Sequence, residues 1–383
     1  MSPEVLTRDH IFPDDESVMR RALLIARQGR GCAEPNPLVG AVIVDEQRRF
    51  ISEGWHAEFG SDHAEIVAIQ AAPMTAGTRL FVTLEPCSHH GQTPPCADAV
   101  IAAGFTEVVI GCRDPAPHVS GRGISRLQEF DISVVTGVCG AEACQLIAPF
   151  SMLQLNRRPW IHAKWAMTLD GRIAASSGHS KWITSELSRR ETHRLRGVMD
   201  AIITGAGTIR SDDPELTARP AGPRVPTRIV LDSGGNSIHA ELRLIATLAV
   251  APVLVCLADD QTAGTVKRLG SLGAEVLQLP RTRHGQLCMH SLLQELGRRN
   301  MTNVLVEAGA GVLGAFFDAQ LMDEVHAFIA PKLIGGAGAL SPIGGTGLKT
   351  VPVLPDLETV HVLRFGDDIL IRGRICRPRS SNV

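Results

Sequence analysis

The apolar positions of the chain change period several times, and each change marks an element. Val18, Met19, Ala22, Leu23 and Ala26 recur at helical spacing behind Asp14 and Asp15, either of which can cap a first turn. A helix is therefore expected from Asp14 to Arg30, closed by Gly29 and Gly31. Apolar runs of strand length follow at Leu38 to Val44, Phe50 to Trp55, Arg79 to Leu84, Thr106 to Gly111 and Ile132 to Thr136. Helical stretches open between them at Asp62 and Pro95, and another runs from Ala141 to about Met152. Strands interleaved with helices in this way predict a three-layer α/β domain.

Asn156-Arg157-Arg158-Pro159 is a polar break and places the domain division there, with residues 1–155 before it and 156–383 after it. Beyond it the strand pattern returns at Trp160 to Met167, Ala201 to Thr204, Arg228 to Asp232, Val253 to Leu257, Glu275 to Leu279, Asn303 to Glu307 and Asp323 to Ala330. A helix capped by Thr184 or Ser185 runs to about Arg196. Gly366-Asp367-Asp368 joins two alternating segments as a hairpin. The glycine-rich stretch from Gly335 to Gly347 reads as either a lid or a solvated loop.

A chain of 383 residues is long enough for two cores. A formal net charge of -2 offers no basic field, so nucleic acid is not an expected partner. Nine cysteines without framework spacing point to reduced thiols and a metal site. No leader-like or membrane-length apolar run is seen, so a soluble, cytoplasmic protein is expected, without membrane partners and as a homo-oligomer.

The chemistry concentrates in His63-Ala64-Glu65 and in the segment Pro86-Cys87 to Pro95-Cys96. One imidazole and two thiolates, His63, Cys87 and Cys96, suit a tetrahedral zinc whose fourth position stays open to water. Glu65 lies two residues past His63 in the first turn of the helix that Asp62 opens, beside the metal without ligating it, and is the expected catalytic proton shuttle. Zinc deaminases combine a metal-activated water with a non-ligand Glu in this way. Asn36, held between Pro35 and Pro37 at the mouth of a strand, reads as a site residue in that company and as a turn residue without it. The stretch from Asp114 to Gly123, proline-rich and then glycine-rich, either wraps a ligand or crosses the surface. Two further glycine motifs, Gly205-Ala206-Gly207-Thr208 and Gly309-Ala310-Gly311-Val312-Leu313-Gly314, each follow a strand. The second has the Gly-x-Gly-x-x-Gly form of a dinucleotide site, too late in the chain for a Rossmann half but still suited to a phosphate.

Pro35-Asn36-Pro37, His63-Ala64-Glu65, Thr83 to Cys96 and Gly121-Arg122-Gly123 together resemble the bifunctional riboflavin-biosynthesis deaminase-reductases. The likeness continues through Leu169-Asp170-Gly171-Arg172, Trp182 to Ser185, Asp212-Asp213-Pro214, Val306 to Gly309 and Ala330 to Leu333. It implies a cytidine-deaminase-like three-layer domain followed by a dihydrofolate-reductase-like mixed-sheet domain. It also implies zinc-dependent deamination of a phosphorylated diaminopyrimidinone, then reduction of its ribosyl group to ribityl by NADPH. By the same resemblance Asn36, His56, His89 and Asp114 bind the deaminase substrate. Ser180, Arg196, Leu216, Arg219 and Glu307 match reductase substrate positions. Lys164, Trp182, Thr208, Asp212, Ser233 and Gly309 through Gly314 match the cofactor side. Two positions depart from the family pattern: Gln92, where Lys or Arg is usual, and Ala116, where Asn is usual.

Overall fold

A computed structural model describes residues 4–88, 94–116, 120–352 and 357–376. Two compact units emerge, residues 1–157 and 158–383.

The first unit runs α1 (Asp15–Ala26), β1 (Gly40–Val44), β2 (Phe50–Trp55), α2 (Ala64–Ala71), β3 (Arg79–Leu84) and α3 (Cys96–Ala103). It continues with β4 (Glu107–Cys112), α4 (Arg122–Gln128), β5 (Ser133–Thr136), α5 (Gly140–Leu146) and α6 (Ala148–Asn156). Asp14 caps α1, accepting from Ser17 N at 2.7 Å, and the predicted apolar stripe is buried. The sheet order is β2-β1-β3-β4-β5. Its first two pairings are antiparallel and the last two parallel, so α3 and α4 serve as crossovers. Helices α1 and α5 touch each other over one face, while α2, α3 and α4 form the other layer. Gly54 fixes how closely α2 approaches β2: a Cβ there would lie 2.5 Å from Ala68 N and 2.6 Å from Ala64 O.

Two features differ from expectation. The stretch after Gly121 is a helix, α4, entered through Gly121 at φ 83°. The helix expected from Ala141 to Met152 is two, broken at Ile147 with Pro149 in the first turn of the second. Proline suits a first turn because its missing N–H would have no helical partner there.

The second unit begins β6 (Trp160–Thr168), α7 (Glu186–Arg196), β7 (Ala201–Gly205), α8 (Ala206–Asp212), β8 (Thr227–Leu231), α9 (Arg243–Ala246) and β9 (Val253–Ala258). Next come α10 (Ala263–Ser271), β10 (Glu275–Leu279), α11 (Met289–Arg298), β11 (Asn303–Glu307), α12 (Ala310–Asp318) and β12 (Glu324–Ala330). The hairpin β13 (Leu357–Phe365) and β14 (Asp368–Ile375) closes it. Among the described residues nine strands form one mixed sheet, ordered β10-β9-β8-β7-β11-β6-β12-β14-β13. The β10-to-β12 pairings are parallel, and β14 joins β12 antiparallel. Alternation sends Ile203, Val304 and Val306 into one core and Ile202, Val230 and Leu305 into another. The glycine-rich stretch is pinned to α12, with Thr346 N and Gly347 N donating to Asp318 at 2.7 and 3.0 Å. Among the described residues no helix is long and apolar enough to cross a membrane.

Candidate active sites

In the first unit two helix starts meet. His63 is the N-cap of α2, and its imidazole is turned away from the capping role, with no side-chain cap bond. Cys96 is the first residue of α3, and its N–H donates to Cys87 Sγ at 3.3 Å. His63 Nδ1 lies 3.1 Å from Cys96 Sγ and 3.7 Å from Cys87 Sγ, and the three donor atoms fall within 4.8 Å of one another. The Cys96 thiol and then His63 hold the Cys87 thiol down at about 4, while the same pairing pushes Cys96 up. One imidazole nitrogen and two sulfurs, one readily ionised, with no fourth donor in the cluster among the described residues, fit a catalytic zinc. Glu65 is 3 % exposed, and its carboxyl is pushed up to about 7 by burial, which the His63 charge and hydrogen bonds only partly oppose. It shares the site with Cys96 and is not one of the three converging donors.

Around this centre Asn36 Nδ2 lies 3.0 Å from His56 Nε2, and His56 Nδ1 lies 3.1 Å from the carbonyl of Asp62. Burial lowers the His56 pKa and favours the neutral ring, which donates from Nδ1 and accepts from Asn36. The His56 and His63 rings meet edge to face, 5.3 Å apart. Asp114 turns its carboxylate to Ala116 N at 2.8 Å, so the departure at Ala116 falls where the chain contributes a backbone donor. His89 and Gln92 lie outside the described residues.

The second unit carries a cavity of about 1010 Å³ at the C-terminal ends of β6, β7, β8 and β11. Open α/β sheets bind ligands at such ends. Lys164 and Glu307 face each other across paired strands, Lys164 Nζ donating to Glu307 Oε1 at 3.0 Å. Arg196 Nε takes the other oxygen at 2.9 Å and its NH1 reaches Thr217 O at 3.1 Å. Arg219 and Arg243, half-exposed, both pair with Glu215. Lys181 and Arg189 add to a cationic excess over the carboxylates of Asp212, Glu215 and Glu307. Trp182 is 64 % exposed at the wall, with the Arg189 guanidinium 4.5 Å from its ring centre. Ser180, Thr208 and Leu216 also line the cavity.

The glycine motifs converge here. Gly205 and Gly309 are the N-caps of α8 and α12, neither with a side-chain cap bond, and both helix starts line the wall. At Gly207 and Gly311 a Cβ would meet nothing within 4 Å, which leaves open space where any other residue would intrude. First-turn amides that no side chain caps, set in such a cradle, fit the phosphates of NADPH. Leu313 is instead in the core, and a Cβ at Gly314 would lie 2.4 Å from the Gly344 backbone, so the third glycine serves packing. Ser233, half-buried just past β8, is not part of the wall; its carbonyl accepts from Ala258 N at 3.1 Å. Arg189, Glu215 and Arg243 are wall residues that no sequence motif marked.

Residues 13–112 match the cytidine and deoxycytidylate deaminase zinc-binding region, and residues 159–371 the RibD C-terminal domain. The riboflavin biosynthesis protein RibD of Bacillus amyloliquefaciens is 38 % identical over 357 residues, covering 93 % of this chain and 95 % of its own. That of Escherichia coli is 38 % identical over 376 residues, covering 94 % and 98 %. Among solved structures, RibD of Acinetobacter baumannii superposes with a TM-score of 0.81 at 31 % identity, covering 95 % of this chain and 99 % of its own. A diaminohydroxyphosphoribosylaminopyrimidine deaminase/5-amino-6-(5-phosphoribosylamino)uracil reductase from Thermotoga maritima gives 0.80 at 36 % identity, covering 94 % and 98 %. With a deaminase-type donor triad in one unit, a glycine-cradled cavity in the other and likeness along nearly its whole length, the chain belongs to the RibD family of riboflavin-biosynthesis proteins.

Proposed function

We propose that the first unit hydrolyses the ring amine of a phosphoribosylamino-diaminopyrimidinone and that the second reduces the ribosyl group of the product to ribityl. The convergence of His63, Cys87 and Cys96 beside buried Glu65 carries this reading. These three residues would hold zinc, which would supply the Lewis acidity that makes a water nucleophilic at neutral pH. Glu65 takes the proton released from that water and delivers it to the departing amine, changing role between the two steps. Asn36, oriented by His56, hydrogen-bonds the pyrimidine edge, while Asp114 meets the sugar side.

In the second unit the helix starts at Gly205 and Gly309 cradle the dinucleotide phosphates, and Thr208 and Asp212 flank them. Trp182 offers its exposed face to an aromatic ring of the ligands. NADPH supplies the hydride, and the protein aligns donor and acceptor. Lys164 and Glu307 meet the ribose oxygens, and Arg196 and Arg219, with Ser180 and Leu216 beside them, hold the substrate and its phosphate. A cytoplasmic homo-oligomer is the accompanying reading. Edge strand β13 supports the assembly, for it exposes Val360, Val362 and Leu363 at 50, 63 and 45 %. Light scattering on a size-exclusion column tests it.

The activity is tested by following ammonia and NADPH in one vessel. Ammonia should appear from the substrate without cofactor, and NADPH should be consumed only after deamination. Consumption of NADPH by undeaminated substrate would contradict the order, and absence of ammonia would contradict the first reaction.

A further inference from the structure

Glu85 immediately precedes the Pro86-Cys87 ligand segment and has no part in the chemistry above. Its side chain is 4 % exposed and receives four backbone N–H groups. Oε2 accepts from Asp114 at 3.2 Å and Gly121 at 3.0 Å, and Oε1 from Gly123 at 2.9 Å and Ile124 at 3.3 Å. A carboxylate that merely capped α4 would account for Gly123 and Ile124, whose amides are the unpaired donors of a first turn. It would not reach back to Asp114, at the far end of the loop. The glycine at 123 belongs to the same arrangement: a Cβ there would lie 2.1 Å from Pro86 O and 3.2 Å from Glu85 Cγ, so only glycine lets α4 press against the ligand segment.

We propose that Glu85 is a positioning residue of the deaminase, clamping Asp114 and the start of α4 to the segment that carries the Cys87 ligand. Asp114, the start of α4 and the metal ligand then move as one body. The inference rests on the deaminase reading, in which Asp114 faces the substrate. Glutamine at 85 keeps the shape and burial but turns an amide NH₂ toward backbone donors, so at least one pair of bonds is replaced by opposed N–H groups.

The test is Glu85→Gln in the full, zinc-loaded chain, with zinc content, deaminase kcat and KM, and reductase turnover of already deaminated substrate read together. Zinc content and reductase turnover should match wild type, while deaminase KM rises roughly ten- to a hundredfold, the scale of an ångström-sized misplacement. A wild-type KM with zinc in place would overturn the proposal, as would loss of activity in strict proportion to loss of zinc. If the variant does not accumulate folded, Gly123→Ala reads the same coupling from the helix side. It should raise KM with zinc retained, and an unchanged KM would again overturn the proposal. Absence of deaminase activity in the wild-type chain is a different result, which removes the underlying reading itself.

Discussion

Lys164 and Glu307 are register partners on β6 and β11, and the 3.0 Å bond between them is half of a buried triad that Arg196 completes from α7. Burial alone would raise the Glu307 carboxyl, but Arg196 and Lys164 overcome it and hold the group well below the usual carboxylate range. Its contribution to stability is therefore fully present above the unfolded pKa, about 4.3, and is lost as pH falls through the lower folded value.

Glu307→Gln should strand two cations of which no more than 11 % of either side chain is exposed, at about 3–5 kcal/mol, and abolish reduction. Thermal melts of variant and wild type should differ by a constant amount above about pH 5 and converge in stronger acid. A difference that grows in acid would contradict the sign.

Asp323 organises the entry to the second unit, accepting from Arg158 NH1 at 2.7 Å, Arg158 NH2 at 2.9 Å and Ile161 N at 2.8 Å. At 3 % exposure it has little water to replace those partners. Asp323→Asn should cost about 3–5 kcal/mol, lowering the melting temperature at which reductase activity disappears by roughly 6–20 °C. Calorimetry checks it.

Chelation separates the two activities. Dialysis against a zinc chelator should remove one metal per chain and abolish deamination, with zinc restoring it, while turnover of deaminated substrate by NADPH persists. Cys96→Ser should not recover, because it removes one of the three converging donors.

Glu65→Gln should keep zinc and lose deaminase kcat by about 10²–10⁴-fold, the range for a positioned acid-base group. Parallel loss of zinc would make Glu65 a ligand instead.

The convergence of His63, Cys87 and Cys96 was legible because their residue types carry the chemistry themselves, and two of the three sit at helix starts. The Asn36 to His56 contact was not, since it joins residues twenty apart, brought together by the antiparallel pairing of β1 and β2. The four donors to Glu85 were hidden for the same reason, being backbone groups gathered by tertiary packing. Gly309-Ala310-Gly311-Val312 read correctly as a strand-to-helix turn, but the period of a fingerprint could not show that Leu313 enters the core and Gly314 meets Gly344. Helix α8 carries little local signal because Gly207 sits in its first turn and disfavours a helix, and packing overrides that preference.

The central claim, two successive reactions on one substrate, is tested most directly by mass spectrometry of the phosphoribosylamino-diaminopyrimidinone incubated with zinc-loaded protein, with and without NADPH. The account predicts exchange of an amine for oxygen without cofactor, and addition of two hydrogens to that product only when NADPH is present. A folded, zinc-loaded chain that leaves the mass unchanged, or that adds hydrogen before losing the amine, would contradict it.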